Sequence, residues 1–331
     1  MNNSYKQKYI KYKDKYQKLK FQLGGNKHTE EAKLIENTNI MRAVELYKIG
    51  VEECDPEAQY RLGNILLKGR ESIPQNIDLA INLFKQASQP GNSDAQYTLG
   101  KFYFDGTNVK QDHSKAAQLF NLSANSGNAN AQYYLGFMYE NGIGIKKNLN
   151  EMARLYLLSA KNNNRNAQYN LGKMYYNGVN VPQDDEIAKK FFTLAADSRL
   201  PNAQYYLGLM NELGHGGEKN IRVAINYYKD ASLLGLVDAT YNLANIYYND
   251  DEYYNDALAM ENFKKAAAGG VHEADYMLGE MHINARGTAA NYELAAEYYK
   301  KAAKQGNKKA IQKLDAMIKS GIIPSTFSVN T

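Results

Sequence analysis

The chain has 331 residues, of which 44 % are hydrophobic, with 28 tyrosines, no tryptophan and a net charge of +5. That length accommodates one large domain or two ordinary ones with a sizeable core. The single cysteine, Cys54, excludes an intramolecular disulfide, and no apolar run approaches the roughly 18 residues of a membrane span or the apolar centre of a secretory signal. A non-secreted, cytoplasmic chain is the expectation.

Residues 1–25 hold seven lysines and one aspartate, so this segment alone is +6 and the remainder of the chain is −1. The basic character is therefore local, and 26–331 make no overall case for nucleic-acid binding. Tyr5, Tyr9, Tyr12, Tyr16, Leu19 and Leu23 are spaced 4, 3, 4, 3, 4, the seam of a three-heptad coiled coil. Lys6, Lys8, Lys13, Lys15 and Lys20 flank that seam and would repel in a parallel homodimer. The segment is thus expected to meet something acidic: another protein, a patch on its own chain, a membrane surface or nucleic acid. Gly24 and Gly25 close it, either as a helix cap and joint or as a site of proteolytic processing. Residues 26–38 read as a linker, and NIMRAVELYKIG (39–50) as a lone helix ahead of a repetitive region.

From 55 onward the chain repeats itself. DPEAQYRLGNILLKG (55–69), NSDAQYTLGKFYFDG (92–106), NANAQYYLGFMYENG (128–142), NRNAQYNLGKMYYNG (164–178) and LPNAQYYLGLMNELG (200–214) lead to three weaker copies at 236–250, 271–285 and 307–321. Their aligned alanines, from Ala58 to Ala310, are 35 to 37 residues apart, and one loop per repeat absorbs the variation. Each repeat predicts two helices. In helix A, Ala58, Leu62 and Leu66 share a face, and Gly69 or its equivalent sits where a left-handed cap ends the helix. In helix B, Ala80, Leu83, Phe84, Ala87 and Ser88 form a second stripe, repeated as Ala188, Phe191, Phe192, Ala195 and Ala196. Gly63 recurs inside helix A in six of eight copies, although glycine there costs about 1 kcal/mol against alanine. Its retention predicts a helix crossing too tight for a Cβ. The last copy, NKKAIQKLDAMIKS, is polar, as the end of a stacked array requires. Residues 322–331 are expected to be disordered.

The pattern A-x-Y-x-L-G-x-x-Y-x-x-G, a loop such as GVNVPQD (178–184), then A-x-x-Y/F-Y/F-x-x-A-A, resembles the Sel1-like repeat family, a relative of the tetratricopeptide repeat. The resemblance covers 39–321. It implies an all-α, right-handed α-solenoid of stacked antiparallel helix pairs, with helix A lining the inner surface, and a non-catalytic adaptor that binds a protein or peptide there. By the same analogy the partner-facing positions include Asn130, Tyr133, Phe137 and Asn141; Asn166, Tyr169, Lys173, Tyr176 and Asn177; and Asn202, Tyr205 and Leu209. These form an asparagine ladder, able to donate and accept, beside a tyrosine ladder with apolar area and a polar tip. The lysine- and tyrosine-rich leader ending in Leu-Gly-Gly also resembles the leaders of mimivirus-type giant-virus proteins, which implies a shared address in host cytoplasm, viral factory or virion. Alternatives are a nucleic-acid-associated protein acting through the basic arm, and a structural particle component.

No catalytic, metal or cofactor site emerges. The five histidines are scattered, and His272 and His282 are ten residues apart, not the four of a helical zinc pair. Cys54 has no base beside it in the sequence. GHGG (214–217) lacks the Lys-Ser/Thr of a phosphate loop and follows no strand. An enzyme is not expected.

Overall fold

The computed structural model describes residues 26–70 and 72–328; the expected coiled-coil seam and the Gly24-Gly25 processing site lie outside the described residues. Among the described residues there are seventeen α-helices, one 3-10 turn and a single isolated bridge, Arg70 to Ile73. The A helices are α1 (Lys27–Ile35), α3 (Pro56–Lys68), α5 (Ser93–Asp105), α7 (Ala129–Asn141), α9 (Arg165–Asn177), α11 (Pro201–Leu213), α13 (Val237–Asn249), α15 (His272–Ile283) and α17 (Lys308–Lys319). Between them lie the B helices α2 (Ile40–Glu52), α4 (Ile77–Ser88), α6 (His113–Asn125), α8 (Leu149–Lys161), α10 (Asp185–Asp197), α12 (Ile221–Leu233), α14 (Asp256–Ala268) and α16 (Tyr292–Lys304). The chain divides within α9 into two units, one up to Ala167 and one from Gln168. Each unit is an all-α solenoid of antiparallel helix pairs, with consecutive helices packed on one another.

Local chemistry starts these helices cleanly. All eight B helices have Asn or Asp at the N-cap, from Asn39 to Asn291, each side chain accepting from a backbone N–H of the first turn. Each such cap contributes about 1 kcal/mol, so the abundance of asparagine has a structural use. Several A helices end in a left-handed glycine, Gly106, Gly142 and Gly214, as expected. Gly69 departs from this. Its φ is positive but its ψ is 162°, and the chain runs out into the longer 69–76 loop.

The A–B crossing is as close as the helix-A glycines predict. A Cβ added at Gly63, Gly100, Gly136, Gly172, Gly208 or Gly279 would lie 2.5 to 2.9 Å from the B-helix ring opposite, Phe84, Phe120, Tyr156, Phe192, Tyr228 or Tyr299. Each of these rings is fully buried. Within each unit, bare backbone on an A helix therefore meets a buried aromatic ring on its B helix, the close contact expected of a well-packed interior.

Two expectations are corrected. Residues 26–38 are not an unstructured linker, because Lys27–Ile35 is helical and packs on α2 through the buried Thr29 and Ala32. Only two residues of that helix are buried, too few to set a visible period. The segment after 321 is not disordered as far as Ser328: Ile323 is buried, Ser325–Phe327 forms a 3-10 turn, and Lys300 Nζ donates to the Thr326 carbonyl at 3.1 Å. Ile323 and Phe327 cover apolar surface that α16 and α17 would otherwise leave open.

Candidate functional site

The repeat tyrosine of each A helix leans on the aromatic ring of its own B helix. Ring centroids are 5.8 Å apart for Tyr133 and Tyr156, 5.9 Å for Tyr169 and Phe192, and 5.8 Å for Tyr205 and Tyr228. One side of each tyrosine is thus fixed by the core while the ring remains half-buried. Burial, with Tyr206 beside it, pushes the Tyr169 phenol up to about 12. Burial also raises Tyr205, and the nearby Asp238 and Glu212 carboxylates add to that. These phenols stay protonated at any physiological pH, so each keeps a hydroxyl donor, and that of Tyr205 also accepts from Asn242 Nδ2 at 3.4 Å.

The asparagine ladder divides. Asn130 is exposed, but its Oδ1 accepts from Asn164 Nδ2 at 2.8 Å. The same latch joins Asn128 to Asp94 and Asn92 to Glu57. In each case the N-cap of one A helix reaches the second residue of the A helix before it, so Asn130 is a tie between repeats. Asn166 and Asn202 are exposed, and their side-chain amides have no hydrogen bond among the described residues. The N-cap positions that follow them are Leu200 and Leu236, which offer no side-chain hydrogen bond. Asn141 returns its amide to the Phe137 carbonyl at 2.9 Å, and Asn177 is exposed.

The apolar members are also partly occupied. Phe137 packs edge-on against Phe104, and Tyr176 lies against Phe192, Tyr206 and His215. Lys173 Nζ sits 5.7 Å from the centre of the Tyr169 ring, and Leu209 is half-buried on α11. In unit one, Asn130, Tyr133, Phe137 and Asn141 lie on α7 and Asn166 on the first turn of α9. In unit two, Tyr169, Lys173, Tyr176 and Asn177 lie on α9 and Asn202, Tyr205 and Leu209 on α11.

Residue-by-residue reading of the sequence missed a covariation between two positions of the repeat. Where the B-helix ring is Phe84, Phe120, Phe192 or Phe263, the A helix carries Leu67, Phe104, Tyr176 or Tyr248 nine residues after its alanine. Where the ring is Tyr156 or Tyr228, that position is Glu140 or Glu212, and the phenol donates to the carboxylate at 2.6 or 2.7 Å. Tyr299 finds Glu280 one turn earlier, at 2.5 Å. A buried hydroxyl needs a partner, so the extra oxygen of tyrosine and the carboxylate enter together. A second tyrosine, Tyr134 or Tyr206, stacks on the phenylalanine of the repeat before, at 5.3 and 4.8 Å. In the first six copies the signal was present as a pairing of Phe with an apolar or aromatic residue and of Tyr with Glu; in the seventh, Ile283 holds that position and Glu280 serves Tyr299 instead.

Three polar side chains stand outside this scheme. Asp275, 8 % exposed, replaces the glutamine found at its position in five earlier repeats, and burial raises its carboxyl. His282 is buried with no partner at either ring nitrogen, stacked on Tyr298, and burial together with Lys264 lowers it. Arg286 lies flat on Tyr248 and holds Asp256 at 2.8 Å. Among the described residues, no three His, Cys, Asp or Glu side chains assemble as metal ligands, and no helix is long and apolar enough to cross a membrane.

Helix pairs with one period, one glycine-to-ring crossing and one capped turn per copy define a helical-repeat solenoid. The chain belongs to the Sel1 repeat family, whose pattern matches 56–92, 93–128, 129–164, 165–199, 201–236, 237–271 and 272–307. Among solved structures, it is similar to c5321, a protective antigen of uropathogenic Escherichia coli with an SLR fold, at 26 % identity and a TM-score of 0.78. That match covers 89 % of this chain but only 64 % of c5321, so this chain spans less than two thirds of that relative. A Sel1 repeat protein of Oxalobacter formigenes is similar at 27 % identity and a TM-score of 0.62, covering 88 % of this chain and 84 % of that one. No curated protein matches the chain in sequence.

Proposed function

We propose that this protein is a non-catalytic scaffold that binds a protein or peptide on the A-helix surfaces of its repeats. Sel1 repeats generally mediate protein–protein interaction. The observation that carries the reading is the state of the A-helix side chains: tyrosines locked on one side by core rings, next to the exposed and unbonded amides of Asn166 and Asn202. Rigid aromatic area with free donors and acceptors binds at low entropic cost. The leader's resemblance to giant-virus leaders supports a cytoplasmic setting in an infected cell, and makes 1–25 an address separable from the scaffold.

The test is affinity capture with full-length chain from the native cell, beside Asn166→Arg/Asn202→Arg on the A face and Asn226→Arg on the exposed side of α12. The reading predicts that one partner is retained by wild type and N226R and lost by the A-face variant. A partner lost with N226R and kept by the A-face variant would overturn it. Capture of nucleic acid, abolished by salt, would favour the basic-arm alternative.

A further inference from the structure

In unit two the GHGG loop lies against α10, and loop and helix depart from the repeat pattern together. In unit one the loop residue three places before the next B-helix cap is Val109 or Ile145. Each packs on the core cluster of the preceding B helix, which includes Ile81 or Ala117. The equivalent residue of the GHGG loop is Gly217. In five other B helices the position after the first alanine of the stripe is apolar and buried, as Ile81, Ala117, Ile225, Met260 and Ala296. In α10 it is Lys189, half-buried. An apolar contact is thus exchanged for an ammonium against bare backbone: a Cβ added to Gly217 would lie 3.2 Å from Lys189 Nζ. Lys189 makes no ion pair among the described residues, and its hydrogen bond to the Gly216 carbonyl is long at 3.4 Å. A charge drawn away from water calls for an opposite one.

The exchange borders an open cavity of about 560 Å³, lined by Glu186, Lys189, Lys190, Thr193, Leu194 and Gly216. Lys190 and Glu186 are exposed, and neither makes an ion pair among the described residues. Thr193 Oγ1 is committed to the Lys189 carbonyl at 2.8 Å. The backbone N–H groups of Gly216 and Gly217 have no acceptor among the described residues. Two adjacent ammonium groups, with unpaired amides in the same glycine loop, suit a compact and doubly charged anion. The preceding B helix thereby supplies the lysine that the loop's own sequence lacks. We propose that this cavity binds a phosphate monoester, with Lys189 and Lys190 on the phosphate oxygens and Leu194, 48 % exposed, beside the group that carries it. The site lies on a B helix and its neighbouring loop, so the reading of the A-helix surface does not depend on it.

The experiment is lysine acetylation of the full-length chain by an N-hydroxysuccinimide ester, read residue by residue by peptide mass spectrometry. Inorganic phosphate is titrated at constant ionic strength. Lys189 and Lys190 should react about tenfold more slowly at about ten times the half-protecting concentration, as occupancy of one site requires. Lys264, exposed on α14, should keep its rate. Glu186→Gln removes the opposing carboxylate and should lower the half-protecting concentration several-fold. Lys189→Ile copies Ile81 and Ile225, so helical circular dichroism should be unchanged while the protection of Lys190 is lost. Phosphoserine and adenosine monophosphate, titrated in the same way, separate two sources of the group. Protection at a lower concentration by the first assigns a phosphorylated partner chain, and by the second a nucleotide; either supports the site. Protection by neither ester, equal protection of Lys264, or protection of Lys190 that survives Lys189→Ile would overturn the proposal.

Discussion

Replacing Asp275 by glutamine should stabilise the protein. At this position Gln96 donates from Nε2 to the Ser88 carbonyl at 3.1 Å, and Gln132 to the Ala124 carbonyl at 3.2 Å. Each tie closes a B helix onto the next A helix, eight residues on. The corresponding carbonyl for residue 275 is that of Ala267. Asp275 brings no donor to it and is 8 % exposed with no hydrogen bond among the described residues. The substitution gains one amide–carbonyl bond, net about 1 kcal/mol, and removes an unpaired buried carboxylate, worth a further ~1 kcal/mol or more. The expected gain is about 2 kcal/mol. The pH dependence gives a sharper check. Burial raises the folded-state carboxyl above its unfolded value, against weaker opposing effects of Lys301 and His272. The folded state therefore holds its proton longer, and wild type loses stability as pH rises through the folded value. The advantage of D275Q should be full at neutral pH and shrink in acid. Urea unfolding followed by helical circular dichroism, with hydrogen exchange in α14 and α15 for the local effect, measures both. A variant no more stable than wild type at neutral pH, or one with a pH-independent difference, would refute the reasoning.

Tyr228→Phe should cost about 1–2 kcal/mol by leaving Glu212 without its donor. Glu212→Leu added to it, copying the Leu67 and Phe84 pair, should restore most of the loss, which a double-mutant cycle in urea will read. Gly208→Ala should destabilise by about 1–3 kcal/mol in the same assay, despite alanine's better helix propensity, because its Cβ would land 2.6 Å from the Tyr228 ring. His282, buried and near Lys264, is held below its ordinary value of 6.5. The unfolded chain takes up this proton first, so stability is full above that value and falls as pH drops through it. His282→Tyr, the residue at this position in several other repeats, should flatten that acid limb in pH-dependent thermal melts.

The parts of this architecture that repeat were the parts that could be read. The helix-A glycines announced a crossing without room for a Cβ, and every one of them faces a buried ring. What stayed hidden was pairwise and distant. The Asn164 side chain looks like a local helix cap, and it is one, but it also reaches Asn130, 34 residues away. That second contact decides whether Asn130 is free for a partner, and nothing in its neighbours signals it. The tyrosine ladder had two readings, core packing and partner contact, and the geometry supplies part of each: one side of the ring is packed and the other half-exposed. Helix α1 and the 323–327 cap escaped because each buries only one or two apolar residues, below the length at which a period becomes visible.

The central claim is that the A-helix surfaces carry the partner. Hydroxyl-radical footprinting of the full-length chain, free and with its captured partner, addresses it side chain by side chain. Tyr133, Tyr169, Tyr205 and Tyr276 on A helices and Tyr227 and Tyr298 on B helices are all half-buried, so their reactivities start in one range. The account predicts that A-helix tyrosines lose reactivity on binding while Tyr227 and Tyr298 keep theirs. Protection of Tyr227 and Tyr298, with the A-helix tyrosines unchanged, would contradict it.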